Sequence, residues 1–265
     1  MDPLQAIEAA SISVSLIFFG LGSWFDLKTR EVPDLVWLVY GPTGAVLTAS
    51  RLLVNPSPWI PTLISVGLLA AIAFALFYLG VFGGADSKAV ICLGITQPLI
   101  PTSYHTLVGY VHPLFPLVVL ILGFVCSASV ALWIGLRNLL TMIMKGQKMF
   151  DGLAEEPSWK KAFAAITGYP AEVAKLRSTF YLYPMENVVE ETDGLRRRFS
   201  LFISADANRE QMVSKFIASL AKVGSPKEIW VSPGLPMLLF IFIGLLIALF
   251  VGDPIFTSVF RLATR

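Results

Sequence analysis

From Trp59 to Phe82 the chain carries no charged side chain. A run of that length has few homes. A membrane-spanning helix needs about 20 apolar residues, whereas a helix on the surface of a water-soluble domain must show solvent a polar face. Composition agrees: 55% of residues are hydrophobic and 14% charged, against about a quarter charged in ordinary soluble domains. The chain therefore reads as an integral membrane protein. Similar runs lie at Leu4–Phe25, Leu35–Val54, Leu114–Leu140 and Leu235–Val251, and Ser87–Pro101 is shorter with polar ends. The expectation is a mainly α, polytopic protein with six transmembrane helices, the fourth tilted or partly interfacial. The first segment has no basic region before it and no A-x-A cleavage site, so it is expected to be retained.

Between Lys145 and Ser232 the composition changes. Lys145, Lys148, Lys160, Lys161, Lys175, Arg177 and Arg196–Arg198 fall here with acids interspersed, which predicts a soluble α+β insert. Ser178–Tyr183 and Arg198–Ile203 alternate like half-buried strands, separated by a polar stretch ending in Asp193-Gly194, a turn signal. Asn208–Lys222 has the period of an amphipathic helix, with Met212, Phe216, Ile217 and Leu220 on one face. Glu228–Val231 reads as a closing strand. The expected organisation is a membrane domain over 1–144 with helices one to five, a cytoplasmic soluble domain over 145–234, and the sixth helix with a tail over 235–265.

Basic residues beside helix ends set orientation. Lys28 and Arg30, then Lys88, then Arg137, Lys145 and Lys148 flank the odd-numbered connections; the even ones carry Arg51, and Arg261 and Arg265 follow the last span. The odd connections are expected inside the cell and both termini outside. That places Asp26, after the first apolar segment, and Asp86, in "FGGADSK" after the third, at one membrane face. Acids beside hydrocarbon usually meet a partner or a wet cavity. Two that approach each other share a proton, so that one can act as base on a water and the other as acid on a carbonyl. On these residues alone plainer readings stay open: Asp86 as a cap for a helix starting at Ser87, Asp26 as a solvated helix-end charge.

Other chemistry finds no footing. Cys92 and Cys126 are far apart in apolar runs, which gives neither a disulfide framework nor a cysteine zinc site. There is no G-x-x-x-x-G-K, no H-E-x-x-H and no nucleophile elbow. His105 and His112 read as loop residues, Arg137 and Asn138 as an interface anchor or a headgroup or substrate contact, and Arg196–Arg198 as a solvated face or one drawn to anionic lipid. The net charge of +2 gives no basis for nucleic-acid binding, and none is expected.

"GGAD" at Gly83–Asp86 and the D-x-K-x-R-x-x-P segment from Asp26 to Pro33 together resemble the archaeal preflagellin and prepilin peptidases, type IV prepilin peptidase-like GxGD membrane aspartic proteases. "HPLFPLVVLILGF" with "LRNLL", and "EIWVSPGLP" at Glu228–Pro236, are similar to that family's fifth span and its junction into the sixth. The resemblance implies Asp26 and Asp86 as the catalytic pair, Gly83 and Gly84 as shapers of the loop holding the second acid, and Asp34 and Lys88 as candidate substrate contacts. It implies precursors of archaeal flagellins or pilins as substrates, whose short basic leader is removed at the cytoplasmic face, with the lipid bilayer as the other partner. Two departures stand out: Ala85 occupies a glycine position, and Asp34 follows Pro33 where bacterial members carry asparagine.

The rival from another class is a six-helix carrier or assembly scaffold using Asp26 and Asp86 as an ion or proton site. Carrier acids tend to lie near the midplane on broken helices, whereas these lie at segment ends. No metal or organic cofactor is expected. Lacking the cysteine-rich zinc loop of bacterial relatives, the chain is expected to cleave precursors at an undiminished rate in EDTA. A loss restored by zinc would contradict this.

Overall fold

The computed structural model describes residues 2–102, 106–108, 111–145, 149–191, 194–201, 209–224 and 226–263. The chain forms two compact units, Met1–Ser127 with Pro236–Arg265, and Ala128–Leu235. The positions of His105, Lys148, Asp193, Asn208 and Arg265 lie outside the described residues.

The first unit is helical. It holds α1 (Pro3–Lys28), α2 (Asp34–Val54), α3 (Trp59–Tyr78), α4 (Gly84–Thr96), the first part of α5 (Phe115–Lys145), and, in order along the chain, α9 (Met237–Phe250) and α10 (Pro254–Ala263). The short α4 packs against both α2 and α3, and α1 packs against α2 and α9. Phe19, Tyr40, Leu69, Val90, Leu93, Phe115, Val119 and Ile241 make the core. Tyr40 stacks on Phe18 at 5.0 Å and donates its hydroxyl to Ser15 Oγ at 3.0 Å.

Polarity is arranged inside out. Leu35, Leu53, Tyr78 and Leu79 are strongly exposed, while Glu8 and Arg51 are buried. Arg51 donates to the Glu8 carboxylate at 2.9 Å and to the Leu99 and Ile100 carbonyls, and Thr102 donates to Glu8 through both its backbone N–H and its hydroxyl. Charges surrounded by apolar solvent survive by pairing internally. Among the described residues three helices, α1, α3 and α5, are long and apolar enough to cross a bilayer. At 1.5 Å per residue, α4 and α9 reach only about 20 Å, short of a hydrocarbon layer near 30 Å. Helices thus occupy all six expected segments, and length with composition qualifies three of them as spans.

Two boundaries differ from expectation. The third apolar run was expected to stay helical to Phe82; α3 stops at Tyr78 because Gly80 takes φ 70° and the N–H groups of Val81 and Phe82 turn back to the Leu76 carbonyl. The fourth helix starts at Gly84 and not at Ser87, so Asp86 sits inside it. α2 continues through Pro42. α10 was not anticipated.

The second unit holds the end of α5, α6 (Ser158–Thr167), β1 (Tyr169–Glu172), α7 (Val173–Ser178), β2 (Leu182–Pro184), β3 (Glu186–Glu191), β4 (Gly194–Phe199), α8 (Arg209–Val223) and β5 (Glu228–Pro233). β5 is the central strand of an antiparallel sheet in the order β1-β5-β2, with Val231 opposite Tyr169 on one side and Pro184 on the other. Its alternation feeds two cores. Ile229 and Val231 join Leu176, Leu182, Phe216 and Leu220, whereas Trp230 joins Met149, Leu153, Met185 and Phe199. The expected strand at Ser178–Tyr183 is displaced: α7 runs to Ser178 and β2 begins at Leu182. The polar stretch expected to separate strands is itself β3, hairpinned to β4. Arg196–Arg198 face carboxylates, with Arg197 bridging both oxygens of buried Glu186 and Arg196 and Arg198 meeting Glu155.

Close helix approach rests on glycines. A Cβ at Gly244 on α9 would lie 2.4 Å from the Val119 carbonyl oxygen and 2.7 Å from the Gly123 nitrogen, and one at Gly123 would lie 3.0 Å from Ile241 Cα. Backbone cannot yield as a flexible side chain can. Gly244→Ala is expected to cost about 1–3 kcal/mol by overpacking, read as a lowered Tm in detergent micelles. Gly67→Ala, which meets no atom within 4 Å, is expected to leave Tm unchanged or raised through helix propensity.

Candidate active site

The candidate residues come from three chain turns. α1 ends at Lys28, and Arg30 then takes a left-handed backbone at φ 61°, uncommon for a residue with a Cβ. Pro33 and Asp34 open α2, and Gly83 and Gly84 open α4. Two contacts bring these turns to one end of the helical unit. Lys88 Nζ donates to Asp34 Oδ1 at 2.6 Å, joining the second turn of α4 to the start of α2. Asp26 Oδ2 accepts the Leu238 backbone N–H at 3.2 Å, joining the end of α1 to the first turn of α9.

Asp26 is largely buried, its side chain 13% exposed. Beyond the Leu238 bond it faces Arg30 Nη1 at 3.6 Å, one helical turn along the chain. Ser23, one turn back, donates its hydroxyl to the Leu238 carbonyl at 3.2 Å, so α1 grips the beginning of α9 at both polar groups of one residue. Pro236 precedes that helix, and a helix's first N–H groups have no partner within it. Asp26 therefore acts as a cap supplied from another helix, and the plainer reading of a solvated helix-end charge does not describe it.

Asp86 lies in the first turn of α4 and accepts the Gly83 N–H through Oδ2 at 3.1 Å. This is half of a capping box; glycine has no side chain to supply the other half. Gly83 is the N-cap, at φ −76° and ψ 168°, and Gly84 is the first helical residue, where an added Cβ would meet open space. The acid is thus carried by a helix start and not by a loop. Asp34 and Lys88, expected separately as substrate contacts, form an ion pair with each other, their side chains 71% and 47% exposed.

All three acids share one electrostatic setting. Asp34 and Asp86 lie in the first turns of α2 and α4, and Asp26 lies against the first turn of α9. Helix N-termini carry partial positive charge and favour carboxylates. Arg30 and the Pro236–Leu238 junction were not singled out in the sequence as site residues. The i,i+4 spacing of Asp26 and Arg30 was the available signal for the first, and nothing local signals a bond to a residue 212 positions away. His112 accepts the Leu114 N–H and belongs to a turn before α5. Among the described residues no cluster of three His, Cys, Asp or Glu side chains suits a metal ion.

An apolar helical unit with acids fixed at the ends of its helices is the frame of a membrane-embedded protein. Residues 13–144 match the type IV leader peptidase family, and residues 160–254 match the type II C-terminal region of archaeal A24 peptidases. The chain belongs to the type IV leader peptidase family, as the "GGAD" and D-x-K-x-R-x-x-P segments led one to expect. It is 28% identical to a preflagellin peptidase of Methanocaldococcus jannaschii over 94% of this chain and 98% of that protein. It is 25% identical to a preflagellin peptidase of Methanococcus maripaludis, over 87% and 90% of the two chains. Against a preflagellin peptidase of Methanococcus voltae it is 23% identical, over 93% and 97%.

The cap makes a prediction about stability. An asparagine at position 26 keeps an acceptor oxygen for Leu238, whereas alanine removes it. Asp26→Ala is expected to lower stability by about 0.5–2 kcal/mol, and Asp26→Asn by much less, measured as Tm in micelles. Equal losses would mean that the charge, and not the acceptor, matters there.

Proposed function

We propose that the chain is a membrane aspartic endopeptidase that removes the short basic leader from preflagellin or prepilin-like precursors at the cytoplasmic membrane interface. Asp26 and Asp86 form its catalytic pair. Six helices cross the plasma membrane, α4 and α9 with local thinning of the bilayer, and the 145–234 region lies on the cytoplasmic side. The observation that carries this reading is the gathering of the first and third connections and the start of α9 at one end of an apolar helical unit, joined by Lys88–Asp34 and Asp26–Leu238. The names of the curated relatives supply the substrate class.

In this mechanism one carboxylate, ionised, takes a proton from a water. The water oxygen attacks the scissile carbonyl carbon, and the second carboxyl, protonated, donates to the carbonyl oxygen. Collapse of the tetrahedral intermediate breaks the C–N bond, and the proton taken from water passes to the leaving amine. The pair shares one proton because two adjacent negative charges repel. Arg30 and the Leu238 N–H fix the orientation of the Asp26 carboxyl group. Asp34 and Lys88 lie at the rim, where their exposed pair can exchange partners with the leader. A precursor whose hydrophobic helix lies in the bilayer presents its leader junction at this level. The carrier or scaffold reading is weaker, because these acids sit at helix ends and not at mid-helix breaks.

Membranes holding the chain, mixed with a preflagellin substrate, test the assignment. Asp26→Asn and Asp86→Asn are each expected to abolish processing without loss of membrane insertion, while Asp34→Asn keeps substantial activity. Near-native cleavage by either of the first two removes that residue from the pair, and an inactive Asp34→Asn reverses the ranking.

A further inference from the structure

The second unit contains a helix whose polarity is wrong for water. On α6, Trp159 is 61% exposed, Phe163 41% and Ile166 50%. With Ala162, also exposed, they fill an arc of about 100° at 100° per residue. Apart from Ser158, the first residue of the helix, the exposed side is apolar. The opposite side packs inward through Ala164, which is fully buried. Lys160 borders the arc beside Phe163 and pairs with Glu156 at 3.0 Å, while Lys161 lies on the inward side and donates to the Ala154 carbonyl. A helix on the surface of a soluble domain would turn such a face inward.

The place where α6 is anchored says what covers it. Asn138 on α5, buried, donates from Nδ2 to the Ala165 carbonyl at 2.7 Å and the Gly168 carbonyl at 2.5 Å, closing the C-terminus of α6. A Cβ on Gly135 would lie 4.0 Å from Ile166 Cα. The end of α6 is thus fixed at the level of Gly135–Asn138, which falls within the Phe115–Met144 stretch that qualifies α5 as a membrane span. About 20 residues from Phe115 suffice to cross the hydrocarbon, which puts Gly135 at its edge. Around this level α5 itself exposes Leu132, Trp133, Leu136 and Leu139. Near this level, then, both α5 and α6 leave large apolar side chains exposed.

We propose that α6 is an interfacial helix, lying along the bilayer surface with Trp159, Phe163 and Ile166 buried among the upper acyl chains and with Lys160 at headgroup level. Its partner is the lipid surface. This modifies the expectation of a wholly water-soluble insert: the region beginning at Lys145 starts with a membrane-seated helix, which fixes the height of the β1-β5-β2 sheet through the Gly168–Tyr169 junction. A bulky apolar arc with a lysine at its border is the pattern of helices that bind in the membrane plane, and a lysine stem lies along the apolar boundary while its ammonium group stays wet.

The test uses the full chain with Cys92 and Cys126 replaced by alanine, reconstituted into vesicles of equal parts phosphatidylcholine and phosphatidylglycerol. An environment-sensitive fluorophore is placed by Trp159→Cys, Phe163→Cys or Ile166→Cys, with Lys222→Cys on exposed α8 as control. At the three α6 positions emission is expected to shift to the blue, quenching by aqueous iodide to fall several-fold below the control, and lipids brominated near the headgroup end of the acyl chain to quench strongly. Labels as open to iodide as the control would overturn the proposal. So would labels shielded from iodide yet untouched by brominated lipid, the pattern of a face covered by protein, including a second copy of this chain. Because cysteine variants can misfold, the unaltered chain is also treated with a lipid-phase carbene reagent. Modification within 158–167 supports the proposal, and its absence while α5 is labelled contradicts it.

Discussion

The organisation of the helical unit depends on the unmet hydrogen-bonding capacity of helix starts in an apolar setting. In water the first N–H groups of a helix are solvated at little cost; at the edge of a hydrocarbon layer they need an acceptor. Here α9 obtains one from Asp26 and α4 obtains one from Asp86. The two carboxylates proposed as the catalytic pair are therefore also those that close the ends of helices. In that proposal structural and chemical roles coincide, because both require a carboxylate held beside apolar surroundings by a few fixed donors. This also distinguishes the two acids. Asp26 caps a helix distant in sequence and ties two elements together, whereas Asp86 caps its own.

Around these ends the helices pack by small residues and shared polar atoms. Lipid offers as much apolar contact as another helix does, so close association needs complementary shape or hydrogen bonds. Gly123 and Gly244 let α5 and α9 meet backbone to backbone, and Thr48 donates to the Ile95 carbonyl at 2.6 Å across α2 and α4. α4 is the most enclosed of these elements, with Ala89, Val90 and Leu93 wholly buried. Its place between α2 and α3 leaves it little contact with lipid, which accounts for its weaker apolar signal.

Elements governed by apolar periodicity were legible in the sequence. The six helical segments, α8 and β5 lie where the pattern puts them, to within a few residues. Charged strands were not. β3 reads Glu-Asn-Val-Val-Glu-Glu, without apolar alternation, and it is held as a strand by its ladder to β4 and by the Glu186–Arg197 ion pair. The start of α4 was placed three residues late because two glycines suggest a loop; the N–H of Gly83, satisfied by Asp86, supports a helix there instead. For the candidate site, position at helix ends on one side drew attention to Asp26 and Asp86, and the resemblance of their segments to a known family gave these two and Asp34 and Lys88 their expected roles. The bond from Asp26 to Leu238 and the pairing of Lys88 with Asp34 are products of tertiary structure, set by which helix ends come together.

The buried Glu8–Arg51 pair bears on biosynthesis. Each of these side chains alone is costly in the bilayer centre, and they lie in successive helices. Arg51 finishes its coordination with the Leu99 and Ile100 carbonyls, and Glu8 with Thr102. Neither charge is therefore fully satisfied until the chain has been synthesised through the end of α4. Folding of the first four helices is therefore coupled: α1 and α2 neutralise each other's charge as a hairpin, and the segment after α4 then locks them. The end of the helical unit opposite the carboxylates is thus settled early, before α9 arrives to complete the surroundings of Asp26.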